Sequence, residues 1–273
     1  MSIRLHLIVG SLLLVAPWIG ASGKTTLAED LSVMLAGVTM LDAFTASIDS
    51  LWVARFGEPI YPGMLLSRPY PIGHGLRRNC YILQRDRESV DLTFYREGNE
   101  LIAAVCRVAG PGRRDAMTVS QVYRPARLAD IRASLRASAG LAITRYASDS
   151  LLLPSAFDGA SRPTFGYSCT NSGSPPPARL AMKRLYDNGN RDSIVRIIGS
   201  LNPELRVYAF EAMLAIDNAP SRSPTTRERL AALVGDGEIR MCSGCDVFSG
   251  DAAFFLEEVF TFEKENWARW FQR

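Results

Sequence analysis

Three short runs of aliphatic, β-branched and aromatic residues, separated only by charged or glycine-containing connections, limit the fold of this chain more than any other feature. The runs cover residues 80–84, 90–95 and 101–108. The connection R-E-G-N-E at 96–100 contains the glycine and asparagine that are typical of a β-hairpin. Because consecutive strands joined by connections this short pair antiparallel, the sequence predicts a β-meander.

Helical patterns flank these strands. Residues 27–37 carry leucine at positions 27, 31 and 35, which is a helical spacing. The passage at 57–75 is rich in proline and glycine, so regular helix is excluded there. We expect an α+β domain over residues 24–153, a small antiparallel meander with helices. The other predicted elements of this domain are helices at 39–56 and 125–139 and strands at 119–123 and 143–146.

The remainder of the chain has a different pattern. Residues 154–178 are rich in serine, proline and glycine and predict a linker or a long surface loop, so we place a domain boundary there. Residues 179–273 follow helical spacing and predict an all-helical C-terminal module. Its helices are expected at 179–186, at 192–198 with Asn190 or Asp192 as cap, from Pro203 onwards, and from a Ser223 cap to Gly235.

Within that module, the segment L-N-P-E-L-R-V-Y-A-F-E-A-M-L-A-I at 201–216 resembles one helix of a HEAT repeat, and the next helix would complete its hairpin. The resemblance implies a scaffold for protein contacts, since HEAT-like helices carry no chemistry of their own. Because a free-standing solenoid needs about three or more repeats, we expect a compact module that packs on the first domain. The whole chain also resembles uncharacterised exported bacterial proteins that end in helices and a C-x-x-C loop.

The first 23 residues contain the three parts of a secretory signal peptide. One positive charge at Arg4 precedes an apolar run that ends at Ala21, and small residues close the segment, with Gly23 at position −1. The run is shorter than the ~20 residues that a spanning helix needs, and it contains Pro17. The sequence therefore predicts a signal peptide at 1–23, no stable membrane span, and a periplasmic or secreted protein.

The same segment has a competing interpretation as a degenerate phosphate-binding loop. The letters G-A-S-G-K-T-T resemble the end of the P-loop of small nucleotide-dependent kinases. In that motif backbone N–H groups surround the phosphates, the lysine reaches the β/γ oxygens and a hydroxyl holds magnesium. These roles would fall to Gly23, Lys24 and Thr25. The interpretation also expects a second strand at 38–42, and Trp18 departs from it because the motif has glycine at that position.

The most specific local motif is the C-x-x-C pair formed by Cys242 and Cys245, in a glycine-containing loop that we expect between helices. In an oxidising compartment the motif predicts a structural or labile disulfide within the loop. A thioredoxin-like redox pair is the alternative, and it requires a strand-then-helix setting. Half of a zinc site would need a second C-x-x-C motif or nearby histidines, and the sequence has neither.

The other three of the five cysteines leave the pairing open. In the expected meander, Cys106 faces Val90 and Val90 faces Gln84, so Cys80 lies roughly 13 Å along and roughly 10 Å across the sheet from Cys106. Bridged Cα atoms lie within ~7 Å of each other. We therefore expect no Cys80–Cys106 bridge and take Cys169 as the freer partner for either of them.

Histidine is nearly absent, which restricts catalysis. The sequence contains His6, in the predicted leader, and His74, in a G-H-G turn. Any Ser-His-Asp or Cys-His mechanism in the mature chain would have to use His74, and a lone histidine between glycines is typical of a loop. Near the C-terminus, we interpret Glu257 and Glu258 as a solvated helix face and the many aromatic residues around them as core.

The charge balance of the chain bears on which classes of function are compatible with the sequence. The 31 basic and 28 acidic residues give a net charge of only +3. So small an excess does not indicate the clustered basic residues with which proteins bind nucleic acids. No pattern predicts a cofactor, a metal site or an oligomeric state. The sequence favours an exported binding or structural protein without catalysis, with protein contacts made through the helical module. One alternative is a kinase-like enzyme that uses Gly23, Lys24 and Thr25. The other is a thiol–disulfide protein that uses Cys242 and Cys245.

Overall fold

The structure combines a five-stranded antiparallel sheet with helices. The computed structural model describes residues 26–56, 69–85, 88–109, 117–141, 163–169, 173–219, 223–261 and 271. The helices of the described ranges are α1 (Leu27–Gly37), α2 (Leu41–Phe56), α3 (Pro125–Ser138), α4 (Pro177–Asp187), α5 (Arg191–Ile198), α6 (Pro203–Ile216), α7 (Pro224–Val234) and α8 (Ala252–Thr261). The strands are β1 (Tyr70–Gly73), β2 (Leu76–Arg85), β3 (Glu88–Glu97), β4 (Glu100–Ala109), β5 (Met117–Val122), β6 (Glu238–Ser243) and β7 (Asp246–Asp251).

The main sheet is a meander in the order β1-β2-β3-β4-β5. It contains the three predicted strands, lengthened at both ends, and the expected fourth strand as β5. The sequence pattern does not predict β1, because Pro71 and its neighbours argue against regular structure. Its place at the sheet edge accommodates the proline, since an edge strand needs N–H donors for one neighbour only.

The register of the meander differs from the predicted one. Val90 faces Leu83 on β2 and Val108 on β4. The sequence pattern predicts Gln84 and Cys106 as its partners instead. Pairing extends into both segments that the sequence pattern treated as five-residue connections, and this extension shifts the partners.

Cys80 and Cys106 lie buried and outside any disulfide, in agreement with the expectation that they do not pair. Cys80 faces Thr93 and Cys106 faces Leu92, the preceding residue of β3. Because successive residues of a strand point to opposite faces, the two thiols lie on opposite sides of the sheet. Burial, with a smaller contribution from the Asp91 carboxylate, raises the pKa of the Cys106 thiol to about 12.

Helices α1 and α2 cover one face of the sheet. The inward side chains of α2 are spaced four residues apart, at Phe44, Ile48 and Trp52, and all three are buried. The centroid of the Phe44 ring lies 4.1 Å from that of Phe94 and 5.8 Å from that of Tyr81. The residues with helical spacing at 39–56 thus form a helix that covers the core on this face of the sheet.

The start of the described chain bears on the phosphate-loop interpretation. Helix α1 begins after a capping box formed by Thr26 and Glu29. The second strand expected at 38–42 does not form, because α2 begins at Leu41 and continues the helical spacing of the residues that follow. Gly23, Lys24 and Thr25 lie outside the described residues, as does the predicted leader.

The opposite face of the sheet packs against α3 and the C-terminal segment in one buried cluster. Ile72, Leu76 and Ile102 belong to this cluster together with Ile197 and Tyr208 of the C-terminal helices. The two segments that the sequence divides therefore share a core.

The predicted linker at 154–178 is described only in part. Its residues 163–169 lie against the C-terminal segment: Phe165 is buried, and its backbone N–H donates to the carbonyl of Arg240 at 2.7 Å. The domain boundary itself stays a prediction, and the strand expected at 143–146 lies outside the described residues.

Two of the C-terminal helices begin after predicted capping residues, α5 after Asn190 rather than Asp192 and α7 after Ser223. Asn190 and Ser223 each accept a hydrogen bond from the backbone N–H three residues further on. Pro203 occupies the first turn of α6, where its missing N–H leaves no partner unsatisfied. Gly235 ends α7 with a φ of 62°.

The C-terminal segment is not all-helical, so that part of the prediction is wrong. Strands β6 and β7 form a hairpin between α7 and α8. Ile239 and Met241 point into the core, a period of two that is too short in sequence to stand out from the helical patterns around it. The turn closes over two residues, Gly244 with a φ of 57° and Cys245. The C-x-x-C motif thus spans a hairpin turn.

Helix α6 is the central element of this segment. Every residue from Pro203 to Ala215 is buried, because α4, α5, α7 and β6 pack around the helix. A helix surrounded on all sides is normally apolar throughout. Helix α6 instead carries Glu204, Arg206 and Glu211, whose partners define the site described below.

The prediction that the C-terminal aromatic residues belong to the core is confirmed only in part. Phe255 and Phe271 are buried, while Phe254 is exposed. Glu257 is exposed, as expected of a solvated helix face. Among the described residues, no helix is both long and apolar enough to cross a membrane.

We expect the Phe44→Ala variant to lower the free energy of unfolding by about 3–5 kcal/mol, because it leaves a cavity between two aromatic rings. Urea unfolding followed by circular dichroism measures the effect. Val53→Ala is the matched control, since Val53 is 41% exposed on the same helix and such a change stays within about 0.5 kcal/mol. Equal losses in the two variants would contradict the packing described for α2.

Candidate functional site

The C-x-x-C motif lies at the tip of the β6–β7 hairpin, but its two cysteines do not bond to each other. Cys242 forms a disulfide with Cys169, with Cα atoms 5.5 Å apart and a sequence separation of 73. Cys245 is exposed and lies outside the bridge. The predicted Cys242–Cys245 disulfide is therefore wrong, and so is the expected pairing of Cys169 with Cys80 or Cys106.

The segment 163–169 brings Cys169 to the hairpin by running parallel to β6. The backbone N–H groups of Cys242 and Gly244 donate to carbonyl oxygens of this segment at 2.8 and 3.0 Å. The pairing joins stretches that are distant in sequence, so no local pattern reveals it.

Gly166 allows the disulfide to lie directly against the backbone of this segment. A Cβ at this position would come within 2.6 Å of both the carbonyl oxygen and the sulfur of Cys242. The Tyr208 hydroxyl secures the same stretch, since it accepts the N–H of Gly166 at 2.9 Å and donates to the carbonyl of Thr164 at 2.7 Å. Burial raises the pKa of Tyr208, so the hydroxyl stays protonated and keeps both hydrogen bonds.

Beside the disulfide, the buried guanidinium of Arg179 is enclosed by aromatic rings. Its central carbon lies 3.7 Å from the ring centroid of Tyr167 and 4.7 Å from that of Tyr208, within cation–π range. Nε donates to the carbonyl of Gly166 at 2.6 Å, and a terminal nitrogen lies 3.0 Å from the Glu211 carboxylate. Burial opposes the charge, but the Glu211 carboxylate together with Tyr167 and Tyr208 outweighs burial, so the pKa of Arg179 is raised. The pair is therefore charged.

A second buried ion pair joins α6 to the main sheet. Both terminal nitrogens of Arg78 on β2 donate to the Glu204 carboxylate, at 3.0 and 3.3 Å. The two side chains are 6% and 0% exposed. Glu204 also accepts the backbone N–H of Arg240 at 2.9 Å, so the same carboxylate holds β6. Burial opposes the charge of Arg78, but Glu204, with smaller contributions from Cys80 and Tyr95, outweighs burial, so the pKa of that arginine is raised.

Arg206 and His74 lie at the edge of this pair. Arg206 donates to the carbonyl of Ile72 in β1, and burial together with the neighbouring Arg78 lowers the pKa of Arg206 to about 10. It is still charged at neutral pH. His74 occupies the β1–β2 turn with a φ of 59°. Burial, and then the charge of Arg206, lowers the pKa of His74, so its imidazole is neutral at pH 7.

The arrangement stabilises the fold and offers the chemistry of thiols and disulfides. Within the described ranges, no three histidine, cysteine, aspartate or glutamate side chains are grouped so that they could hold a metal ion. His74, the histidine on which a nucleophile mechanism would depend, is in a tight turn against α7, where a Cβ on Gly73 would meet the carbonyl of Val234. The hairpin cysteines are thus the candidate functional residues.

Several residues of this site were missed by sequence analysis. The ion pairs of Arg78 and Arg179 involve partners far apart in the chain. One signal does exist: the segment P-E-L-R-V-Y-A-F-E of α6 places charges on two opposite sides of an otherwise apolar helix. A helix with no solvated face and several charges requires buried partners.

Comparison with protein-family models, with curated proteins and with solved structures finds no match to this chain.

We expect Cys169→Ser to lower the free energy of unfolding by about 4 kcal/mol, because the disulfide closes a long loop in the unfolded chain. Urea unfolding of the oxidised protein checks this. Cys242→Ser should give a similar loss, and the double variant should add little, since all three changes remove the same bond.

The matched control for the disulfide is Cys245→Ser, which changes an exposed residue of the same hairpin. It should leave the midpoint of the oxidised protein nearly unchanged. Additive losses for the two bridge cysteines, or a loss in the control as large as theirs, would contradict the assigned bridge.

The lowered pKa of His74 predicts a pH dependence of stability. The unfolded chain protonates this histidine below about pH 6.5, whereas the folded chain resists protonation until lower pH. The free energy of unfolding should therefore fall as the pH drops from about 7.5 to about 5.5. His74→Asn should flatten this slope, because asparagine tolerates a positive φ and does not titrate. Equal slopes in the two proteins would count against this explanation.

Proposed function

We propose that this chain is an exported protein that acts by binding or as a structural component, without catalysis. The Cys169–Cys242 disulfide carries the proposal. Disulfides persist in oxidising compartments and are rare in the reducing cytosol. The segment 1–23 supplies the matching signal peptide in this proposal, and a periplasmic or secreted location follows from it.

The C-terminal helices are the proposed contact surface. Helices α4, α5 and α7 pack around α6, and short connections join the four helices. Pairs of helices pack in this way in HEAT-like modules. The proposal includes the resemblance to exported bacterial proteins with such helices. Solenoid proteins bind their partners through an extended concave surface, and the HEAT resemblance implies no reactive groups, so protein is the partner class we propose.

The kinase-like alternative draws little support from the described sheet. A P-loop lies between a strand and the helix that follows it, in an α/β fold with a parallel sheet. The sheet here is an antiparallel meander, and α2 takes the place of the expected strand at 38–42. Nucleotide binding is therefore not part of the proposal.

The export proposal predicts the mass of the mature protein. The full-length chain, expressed with its own N-terminus in a Gram-negative host, should yield a periplasmic species that starts near Lys24. After denaturation without reductant, it should accept alkylating agent at the three cysteines outside the bridge, Cys80, Cys106 and Cys245. In the native state only Cys245 should react, because the other two are buried. Intact-mass spectrometry counts the groups added.

The same chain without residues 1–23, produced in the reducing cytosol, is the control and should alkylate at all five cysteines. A full-length cytosolic product with five reactive thiols would contradict export. Nucleotide binding by that product, lost in Lys24→Ala, would replace the proposal by the kinase-like alternative.

A further inference from the structure

Three cysteines meet at the tip of the β6–β7 hairpin. Cys242 lies near the end of β6, and Cys245 occupies the turn. Cys169 reaches the same place from the segment 163–169, where it pairs in parallel with Gly244, the residue before Cys245. The exposed residue Cys245 therefore lies beside the Cys169–Cys242 disulfide, in which Cys242 is buried.

The backbone places all three cysteines at or beside the same hairpin turn. Neighbouring strand residues lie about 5 Å apart and consecutive Cα atoms about 3.8 Å apart, so the Cα atoms of Cys169 and Cys245 are within about 9 Å. Cys242 and Cys245 have the C-x-x-C spacing over which a disulfide closes in redox-active proteins, there at the start of a helix and here across a hairpin turn. Gly244, between them, can change its backbone angles without steric penalty.

We propose that Cys245 carries out an internal thiol–disulfide exchange, which moves the bridge from Cys169–Cys242 to Cys242–Cys245. Cys245 loses its proton to water, and its thiolate attacks Sγ of Cys242. A Cys242–Cys245 bond forms as the Cys169–Cys242 bond breaks, and the electron pair leaves on Cys169, which then takes up a proton. One disulfide and one thiol exist before and after the step, so no oxidant or reductant is consumed.

Attack falls on Cys242 for two reasons. The leaving thiolate is better stabilised at Cys169, which is half-buried, than at Cys242, which is only 7% exposed, and a better-stabilised thiolate leaves faster. The new bridge also closes a loop of four residues in place of one with a separation of 73, which lowers the entropy lost on closure.

The exchange changes more than the bridge. It removes the covalent tie between β6 and the segment 163–169, which contributes Phe165, Gly166 and Tyr167 to the surroundings of Arg179. The released segment then has no covalent bond to β6 and is held by its backbone hydrogen bonds to that strand and by the hydrogen bonds of Gly166 with Tyr208 and Arg179. Cys245 therefore controls how firmly this segment is attached.

The test uses the mature oxidised protein, purified without reductant. One sample is held at about pH 5 and another at about pH 8.5, because thiol–disulfide exchange proceeds through a thiolate and is slow in acid. Both are quenched with acid and alkylated under denaturing conditions, and each labelled cysteine is identified by peptide mass spectrometry. At about pH 5 the label should be on Cys80, Cys106 and Cys245. At about pH 8.5 Cys169 should gain label as Cys245 loses it.

Two controls make the result specific. Cys245→Ser should keep Cys169 unlabelled at both pH values, because the attacking thiol is gone. Dilution of the wild-type protein should leave the exchange rate unchanged, because the step is intramolecular. A rate proportional to protein concentration would overturn the proposal, and so would label that moves to Cys242.

A second variant tests the product bridge directly. Cys169→Ser, purified from an oxidising compartment, should contain a Cys242–Cys245 disulfide and so label only at Cys80 and Cys106. If Cys242 and Cys245 both remain reactive in this variant, or if wild-type Cys169 never gains label, the exchange does not occur. These outcomes leave the export proposal untouched, since they concern the bridge after it has formed.

Discussion

The charged side chains inside helix α6 must be paired for this fold to form, and their partners determine what surrounds the helix. A buried charge that loses its partner destabilises a protein by about 3–5 kcal/mol. Glu204 meets Arg78 from the sheet, and Glu211 meets Arg179 from α4. A helix without a solvated face thus fixes the position of the elements on either side of it.

The three charges of α6 also point to three different parts of the molecule. Glu204 connects to the sheet and, through the backbone of Arg240, to β6. Arg206 connects to the edge strand β1. Glu211 connects, through Arg179, to the segment that carries the disulfide. The region that holds the cysteines is therefore part of the same polar framework that joins the sheet to the C-terminal helices.

The elements that the sequence predicts well are those specified by neighbouring residues. The caps Asn190 and Ser223 and the proline at 203 start their helices where expected, because each acts within one turn. The meander is recognisable from its alternating runs, but its register is set by how far pairing extends into the turns. The Cys169 bridge depends on tertiary pairing, so for the candidate site the sequence indicates two of its three cysteines and not how they are joined.

The division of the core by the sheet imposes an order on folding. The buried residues of the cluster beneath α1 and α2 lie between positions 27 and 108, and Val119 and Tyr123 shortly after them complete it. The cluster on the other face waits for α6, since Arg78 and Glu204 are separated by 126 positions and Ile72 and Arg206 by 134. Contacts of such long range slow folding. Because a chain is synthesised from its N-terminus, one side of the sheet would be covered while the other still exposes apolar surface, and during that interval the chain would depend on protection from aggregation.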